Sequence, residues 1–378
     1  MIIAVNTRLL LSGKLEGIGW FTMETLSRIT RNHPEHQFVF LFDRPYSNEF
    51  VFSENITPVV LFPPTRHPLL WIIWFELQIP RMLKKYKADL FFSPDGYLSL
   101  NTGVKQLAAI HDINFVHRPK DLPWLKAKYY NFFFPRFARK AKRIVTVSSF
   151  SKEDIHNTYH IGNDKIDVVY NGINTLYRPT SAEEKEITKV NYSKGKEYFL
   201  FIGSLHPRKN IVGLLKAFDA FRQSVTSDVK LMIVGGSMFK TGEIEQTYSR
   251  MQYKEEVIFT GRVSSEALQQ ILGAALALTF VPFFEGFGIP VIEAMSAGVP
   301  VISSNTTSLP EVGGQAVLYV DPYDVGQLKD AMVKISQDKE YRQSLIEAGF
   351  QQKEKFSWDK TARLLWESIT LCTNDEKH

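Results

Sequence analysis

Short apolar, β-rich segments alternate with helical patterns from one end of this 378-residue chain to the other, and that alternation predicts parallel sheets joined by crossover helices. Strands are expected at Ile2 to Val5, Phe38 to Phe42, Val59 to Phe62, Leu90 to Ser93, Leu107 to His111, Ile144 to Ser148 and Asp167 to Tyr170. A polar, charged stretch over 178–196 interrupts the rhythm and reads as a linker or a surface helix. Alternation resumes with strands at Tyr198 to Gly203, Val229 to Val234, Val257 to Gly261, Leu276 to Phe283, Val299 to Ser303 and Val317 to Val320. Two doubly wound, Rossmann-like α/β domains with a cleft between them are the expected outcome, a division that suits this length because each half can bury its own core. The expected boundaries are 1–180, a linker at 181–197, a second domain at 198–356, and a helical tail at 357–378. Trp358, Leu364, Leu365 and Trp366 make that tail unsuited to water.

Composition excludes several classes. No run approaches the ~18 apolar residues of a membrane span, the longest being Leu69 to Phe75, and the first residues turn polar early, as a first strand does and a signal peptide does not. The single cysteine, Cys372, rules out an internal disulfide and a cysteine-built metal site. A reducing compartment fits, so a cytoplasmic location is expected. The net charge of +5 is mild and does not by itself choose a partner. Aromatic and basic residues do not converge on a nucleic-acid module, so no nucleic acid is expected. They do meet twice elsewhere: Leu69 to Phe75 precedes Lys84, Lys85 and Lys87, and Tyr129 to Phe134 leads into Arg136, Arg139, Lys140, Lys142 and Arg143. Either these are the core faces of two crossover helices with a solvated rim, the favoured account, or they form a peripheral contact with anionic lipid.

The chemistry concentrates in Pro282-Phe-Phe-Glu-Gly-Phe-Gly-Ile-Pro-Val-Ile-Glu-Ala-Met-Ser-Ala-Gly-Val-Pro-Val-Ile-Ser303. An apolar strand runs into a glycine-rich turn that opens a helix, with Glu285 in the turn and Glu293 about two turns into the helix. Such a turn presents bare backbone N–H groups to an anion. Were the whole interval helical, the carboxylates would stand about 12 Å apart at ~1.5 Å per residue, beyond the ~5–9.5 Å of paired glycosidase acids. Two different parts of one ligand are the better assignment.

Five further pieces accompany it: Phe201-Ile-Gly-Ser-Leu-His-Pro-Arg-Lys-Asn210, Phe259-Thr-Gly-Arg-Val-Ser264, Val168-Val-Tyr-Asn-Gly-Ile-Asn174, His111-Asp112 and Gly17-Ile-Gly19. Together with Glu, seven residues, Glu at a strand-to-helix junction, this set resembles the retaining nucleotide-sugar glycosyltransferases of the GT-B fold, family 4, over nearly the whole chain. The resemblance implies a first domain for the acceptor and a second for a nucleotide diphosphate sugar, a co-substrate rather than a cofactor, with no metal. It implies that the last helix returns to the first domain. It assigns Glu293 to the ribose hydroxyls, a task for a carboxylate that can accept from both hydroxyls of a diol, and Glu285 to the donor sugar and the charge developing at its anomeric carbon. Phe287, Gly288 and Ile289 would offer backbone N–H groups, with Gly286 and Gly288 allowing close approach. Arg208 and Lys209, beside Gly203, would take the charge of the leaving diphosphate, where no Asp-x-Asp is present to hold a metal. Some relatives carry Arg directly after that glycine; this chain has Ser204. His111 falls beside the transferred sugar, Gly17 and Gly19 beside the donor phosphates and acceptor, and Val263 with Arg262 beside the base. Each has a plainer reading: a solvated helix glutamate, surface cations, a structural histidine, glycines that only turn the chain. The activity expected is transfer of a sugar to an acceptor hydroxyl, in cell-envelope polysaccharide or glycolipid synthesis at the inner face of a membrane. A nucleotide-sugar epimerase on a similar scaffold is the alternative.

Overall fold

The computed structural model describes residues 1–65, 67–236 and 242–374; the last four residues of the expected tail lie outside them. The chain divides into two compact units, one formed by Met1–Gly172 with the segment from Ser357 on, the other by Ile173–Phe356.

The first unit holds a seven-stranded sheet in the order β3-β2-β1-β4-β5-β6-β7, made of β1 Ile2–Asn6, β2 Gln37–Phe42, β3 Ile56–Val60, β4 Leu90–Ser93, β5 Lys105–Ala109, β6 Arg143–Thr146 and β7 Ile166–Val168. All pairings are parallel. The near-continuous apolar runs explain this, since a parallel sheet is covered by helices on both faces. Phe38, Phe40, Phe42, Phe91 and Phe92 are fully buried, each contributing about 1.5–3 kcal/mol of apolar burial. The Leu69 to Phe75 stretch splits by face: Trp71, Trp74 and Phe75 enter the core, while Leu69 is 64% exposed and Ile72 and Ile73 face outward. Tyr129, Phe134 and Phe137 are likewise buried, with Phe132 52% exposed.

The helix Trp358–Thr373 packs along the helix Gly17–Asn32 of this unit. Arg28 Nε donates to Asp359 at 2.6 Å, and Trp366 stacks on His33 with ring centroids 3.8 Å apart. Gly172 is required here, because a Cβ on it would lie 2.2 Å from Trp358 N.

The second unit holds a six-stranded parallel sheet in the order β10-β9-β8-β11-β12-β13, made of β8 Tyr198–Ile202, β9 Lys230–Val234, β10 Val257–Gly261, β11 Ala277–Phe280, β12 Val301–Ser304 and β13 Val317–Val320. Both sheets are doubly wound, and each reverses its strand order once, between β1 and β4 and between β8 and β11. Ligands of such sheets bind at the carboxyl ends of the strands beside that reversal.

Three expectations need correction. The first unit ends at Gly172 rather than 180, and the expected linker 181–197 belongs to the second unit, where most of it is the helix Ala182–Ser193. Ser181 caps that helix: its Oγ accepts from Glu184 N at 3.2 Å while the Glu184 carboxylate accepts from Ser181 N at 2.8 Å, a capping box that the sequence Ser-x-x-Glu announces. The third strand runs Ile56–Val60, not Val59 to Phe62; Pro58 sits inside it, tolerated because β3 is an edge strand.

Candidate active site

At the β8/β11 reversal, two loops are fastened to each other. Gly203 N donates to Val234 O at 2.9 Å as β8 ends, and the chain turns through Pro207–Lys209 to Asn210, whose backbone is left-handed at φ 60°. Asn210 caps the helix Ile211–Ser224, its Oδ1 accepting from Gly213 N at 3.2 Å. Its Nδ2 donates to Val281 O at 3.1 Å and Pro322 O at 2.7 Å. Phe283 N donates to Arg208 O at 2.8 Å. These bonds pull β11 out of its ladder after Phe280, so the expected strand Leu276 to Phe283 stops short and its last residues become the site loop.

Glu285 is thereby set against both cations. Arg208 Nη1 donates to Glu285 Oε2 at 2.9 Å and to Phe284 O at 3.0 Å, and the Lys209 ammonium donates to the same Oε2. Lys209 is buried, its Nζ 4.7 Å from the centre of the Phe280 ring. Burial works to raise the Glu285 carboxyl's pKa, but the adjacent Arg208 and Lys209 outweigh it and hold it below the ordinary value. Ser308, fully buried, pins the turn from beneath, donating to Glu285 O at 2.9 Å and Phe287 O at 3.2 Å.

The helix Ile289–Ser296 starts at Gly288, where φ is 101° and a Cβ would lie 2.6 Å from Leu309 Cδ2; only glycine fits. Gly286 and Phe287 are buried in the turn, and Ile289 is the first helical residue. Because the helix begins there, Glu293 sits just over one turn in, not the two turns expected. Its surroundings differ from those of Glu285. Burial pushes its carboxyl up to about 8, with the nearby Tyr177 hydroxyl acting in the opposite direction. One carboxylate is thus held charged among cations, and the other is inclined to carry a proton near neutrality, a separation of environments that marks functional pairs.

The remaining expected residues do not all join this cluster. Val263 and Arg262 follow β10 at the carboxyl edge of the same sheet, two strands from β8, before the helix Ser265–Gly273. His111, Gly17 and Gly19 lie on the first unit. His111 stands two residues beyond β5, past the ladder rather than closing it as expected, at the carboxyl edge of that sheet. Its Nε2 is 2.8 Å from Pro94 O, so that nitrogen carries the proton, and its ring meets Phe21 edge-on at 4.9 Å. Burial lowers its pKa and keeps the imidazole neutral. Asp112 caps the next segment, accepting from Asn114 N at 3.0 Å. Gly17 opens the helix Gly17–Asn32, and Gly19 packs beneath Leu9 and Leu15.

Sequence reasoning missed Asn210, Ser308 and Tyr177. The first two were readable in principle as a polar residue before a helix and a serine after the strand Val301–Ser304; the third gave no local signal. Among the described residues, no group of three or more His, Cys, Asp or Glu is placed to hold a metal ion.

Comparison with known proteins agrees with this architecture. Residues 182–352 match the family described as Glycosyl transferases group 1 and residues 16–176 match Glycosyltransferase Family 4. The chain is 32% identical over 299 residues to O-antigen chain mannosyltransferase B of Escherichia coli, covering 78% of each chain. It is 30% identical over 274 residues to O-antigen chain mannosyltransferase RfbU of Salmonella typhimurium, covering 71% of each. In fold it matches the crystal structure of Anabaena HepE in complex with UDP-glucose at a TM-score of 0.77 and 16% identity, over 98% of this chain and 100% of that one. The two bacterial relatives of 30% identity or more are transferases by name, not epimerases. The chain belongs to the group 1, family 4 glycosyltransferases and has their GT-B fold.

Proposed function

We propose that this glycosyltransferase is a retaining, metal-independent hexosyltransferase that moves a sugar from a nucleotide diphosphate sugar to a hydroxyl of a glycan or lipid-linked acceptor in cell-envelope polysaccharide synthesis. The observation that carries this reading is the ion cluster of Arg208, Lys209 and Glu285 at the β8/β11 reversal, beside a glycine-opened helix that carries Glu293.

When the bond between the anomeric carbon and the diphosphate breaks, negative charge grows on the leaving oxygen. Arg208 and Lys209 are fixed cations able to receive it without reorganising, and the backbone N–H groups of Phe287, Gly288 and Ile289 add to the field. Glu285 keeps the two cations in place until the diphosphate arrives and faces the positive charge at the anomeric carbon. Glu293 accepts from the ribose hydroxyls. No side chain in the cluster is offered as a nucleophile, which favours attack from the face the diphosphate leaves: the acceptor oxygen bonds to the anomeric carbon as the phosphate bond breaks, and the leaving phosphate oxygen takes the acceptor proton. The neutral His111 ring, its Nε2–H on Pro94 O, is assigned beside the transferred sugar, with Gly17 and Gly19 near the phosphates and acceptor, and Gly203 and Val263 on the donor. The names of the two bacterial relatives favour mannose as the sugar, and HepE, a protein bound to UDP-glucose in its own structure, shares the fold.

For the acceptor, the outward side of 69–77 and Trp124, Leu125 and Phe132 stand beside exposed Lys84, Lys85, Lys128, Arg136 and Arg139, a composition suited to the interface of an anionic bilayer. Among the described residues, no helix is long and apolar enough to cross a membrane.

The test is a transfer assay with UDP-, GDP- and ADP-sugars in EDTA, the product's anomeric configuration read by NMR. Retention with undiminished activity in EDTA is expected. Inversion, or activity restored only by manganese or magnesium, contradicts the mechanism, and a C2 epimer formed without acceptor supports the epimerase. Sedimentation with anionic vesicles that falls with salt is expected for the membrane contact, and equal binding to neutral vesicles or none contradicts it.

A further inference from the structure

The loop after β13 reaches back to the β8/β11 reversal and carries an aromatic ring there. Asp321 opens it as a turn, its Oδ1 accepting from Tyr323 N at 2.9 Å while Asp324 N donates to Asp321 O at 3.0 Å. Asp324 then caps the helix Val325–Gln337, accepting from Gln327 N at 3.0 Å. Between the two aspartates, Pro322 O accepts from Asn210 Nδ2 at 2.7 Å, which ties the turn to the residue that follows Arg208 and Lys209. Tyr323 is thereby held with its ring stacked on Phe283, centroids 4.7 Å apart and planes 29° from parallel. Phe283 is fixed in turn by its own N–H on Arg208 O at 2.8 Å, two residues before Glu285.

Tyr323 is 69% exposed, while Lys209 is buried and Phe283 half-buried. A lone exposed aromatic on a protein surface is ordinary. This one has its backbone in a capped turn and one face on a second ring, so little freedom is left for a ligand to freeze out. Its other face opens to solvent at the carboxyl edge of the sheet, where ligands of this fold bind. In a family that transfers sugars, the flat apolar body that fits there is a pyranose: the C–H groups of one ring face pack on the aromatic, and the hydroxyls stay in water. The donor has its places deeper in, with the diphosphate on Arg208 and Lys209 and the sugar at Glu285. A ring resting on the exposed rim belongs to the other substrate.

We propose that Tyr323, backed by Phe283, is a platform for a sugar ring of the acceptor glycan. This rests on the reading of the Arg208, Lys209 and Glu285 cluster as the transfer site, and it adds that the second unit recognises the acceptor's carbohydrate as well as the donor.

The probe is an α-linked mannotriose, chosen because the names of the two bacterial relatives favour mannose. It is titrated by calorimetry into protein saturated with whichever of GDP and UDP binds more tightly, using wild type, Tyr323→Ala and Tyr323→Phe, with melting temperatures to check folding. Tyr323→Ala should weaken mannotriose about 3- to 10-fold, the effect of losing one stacked ring. Tyr323→Phe should bind it as wild type does, because the ring and not the hydroxyl makes the contact. The dissociation constant of the diphosphate should be the same in all three proteins. Should Tyr323→Ala not fold, Tyr323→Leu, apolar but without a flat face, is read the same way. Mannotriose that wild type does not bind, or that Tyr323→Ala binds equally well, overturns the proposal. An equal loss of diphosphate binding in Tyr323→Ala also overturns it and makes the ring a brace for the donor loop. The transfer-site reading fails by a separate result: a Lys209→Ala protein that binds the diphosphate as tightly as wild type does.

Discussion

Both sheets reverse their strand order once, and both place an ion cluster at that point, yet the two clusters are built differently. In the first, Arg8 Nε meets Asp95 Oδ2 at 2.6 Å with side chains only 8% and 4% exposed. Asn6 Nδ2 completes it, donating to Asp95 Oδ1 at 2.8 Å and Ser93 Oγ at 3.0 Å. The Arg8 guanidinium lies 4.2 Å from the Tyr97 ring centre and within 6 Å of Trp71 and Phe75. In the second, Arg208, Lys209 and Glu285 are 20%, 10% and 14% exposed, and two cations share one carboxylate oxygen. The first cluster is neutral and walled by aromatic rings, so either charge would be stranded without the other; the second carries a surplus positive charge at a partly open edge, where the proposed function seats a diphosphate as a second anion.

The comparison can be broken at its sealed end first. Asp95→Ala leaves Arg8 buried without its partner and should cost ~3–5 kcal/mol of stability in urea unfolding. The matching change at the open end, Glu285→Gln, should cost clearly less, since the amide keeps a hydrogen-bonding oxygen there and Arg208 is 20% exposed; equal losses would erase the distinction. Next in size, Lys209→Ala should lower kcat by about 10²–10³ with a melting temperature close to wild type, as removal of one fixed charge from a transition state does elsewhere. Loss of KM alone would make Lys209 a binding residue only. Glu285→Gln should slow kcat about 10- to 100-fold while nucleoside diphosphate binds as tightly or more so, because charge at the anomeric carbon grows only in the transition state. Weaker diphosphate binding in that variant would contradict the assignment.

A further difference concerns pH. Glu293 has a folded-state pKa of about 8, against an ordinary 4.5, so between those values the folded protein keeps a proton the unfolded chain has released. Its contribution to stability is full below the unfolded pKa and is lost as pH rises through about 8. Glu293→Gln should therefore gain stability relative to wild type on going from pH 4 to pH 9, measured by denaturant unfolding at each pH, and an unchanged difference between the two proteins would contradict the raised pKa. Donor binding to wild type should tighten through the same window, as the carboxylate forms.

The strands were legible because apolar runs flanked by turn residues have few alternatives in an α/β chain, and the 285–293 interval was legible because its glycines and carboxylates are local. Boundaries slipped where long-range bonds decide them: β11 ends at Phe280 because Arg208 O and Asn210 claim the next residues. The helix Ala182–Ser193 stood in the sequence as one of two readings, linker or surface helix, because polarity alone does not separate them; its capping box decides for the helix. Arg8 and Asp95, or Tyr177 and Glu293, are too far apart in the chain for spacing to pair them; only the fold does so.

The most direct measurement of the central claim is a crystal structure of the protein with GDP or UDP, grown without divalent metal. The account predicts the diphosphate within hydrogen-bond reach of Arg208 and Lys209 at the β8/β11 reversal and the ribose diol on Glu293. A nucleotide bound elsewhere, or one whose diphosphate leaves the Glu285 cations untouched, would contradict it.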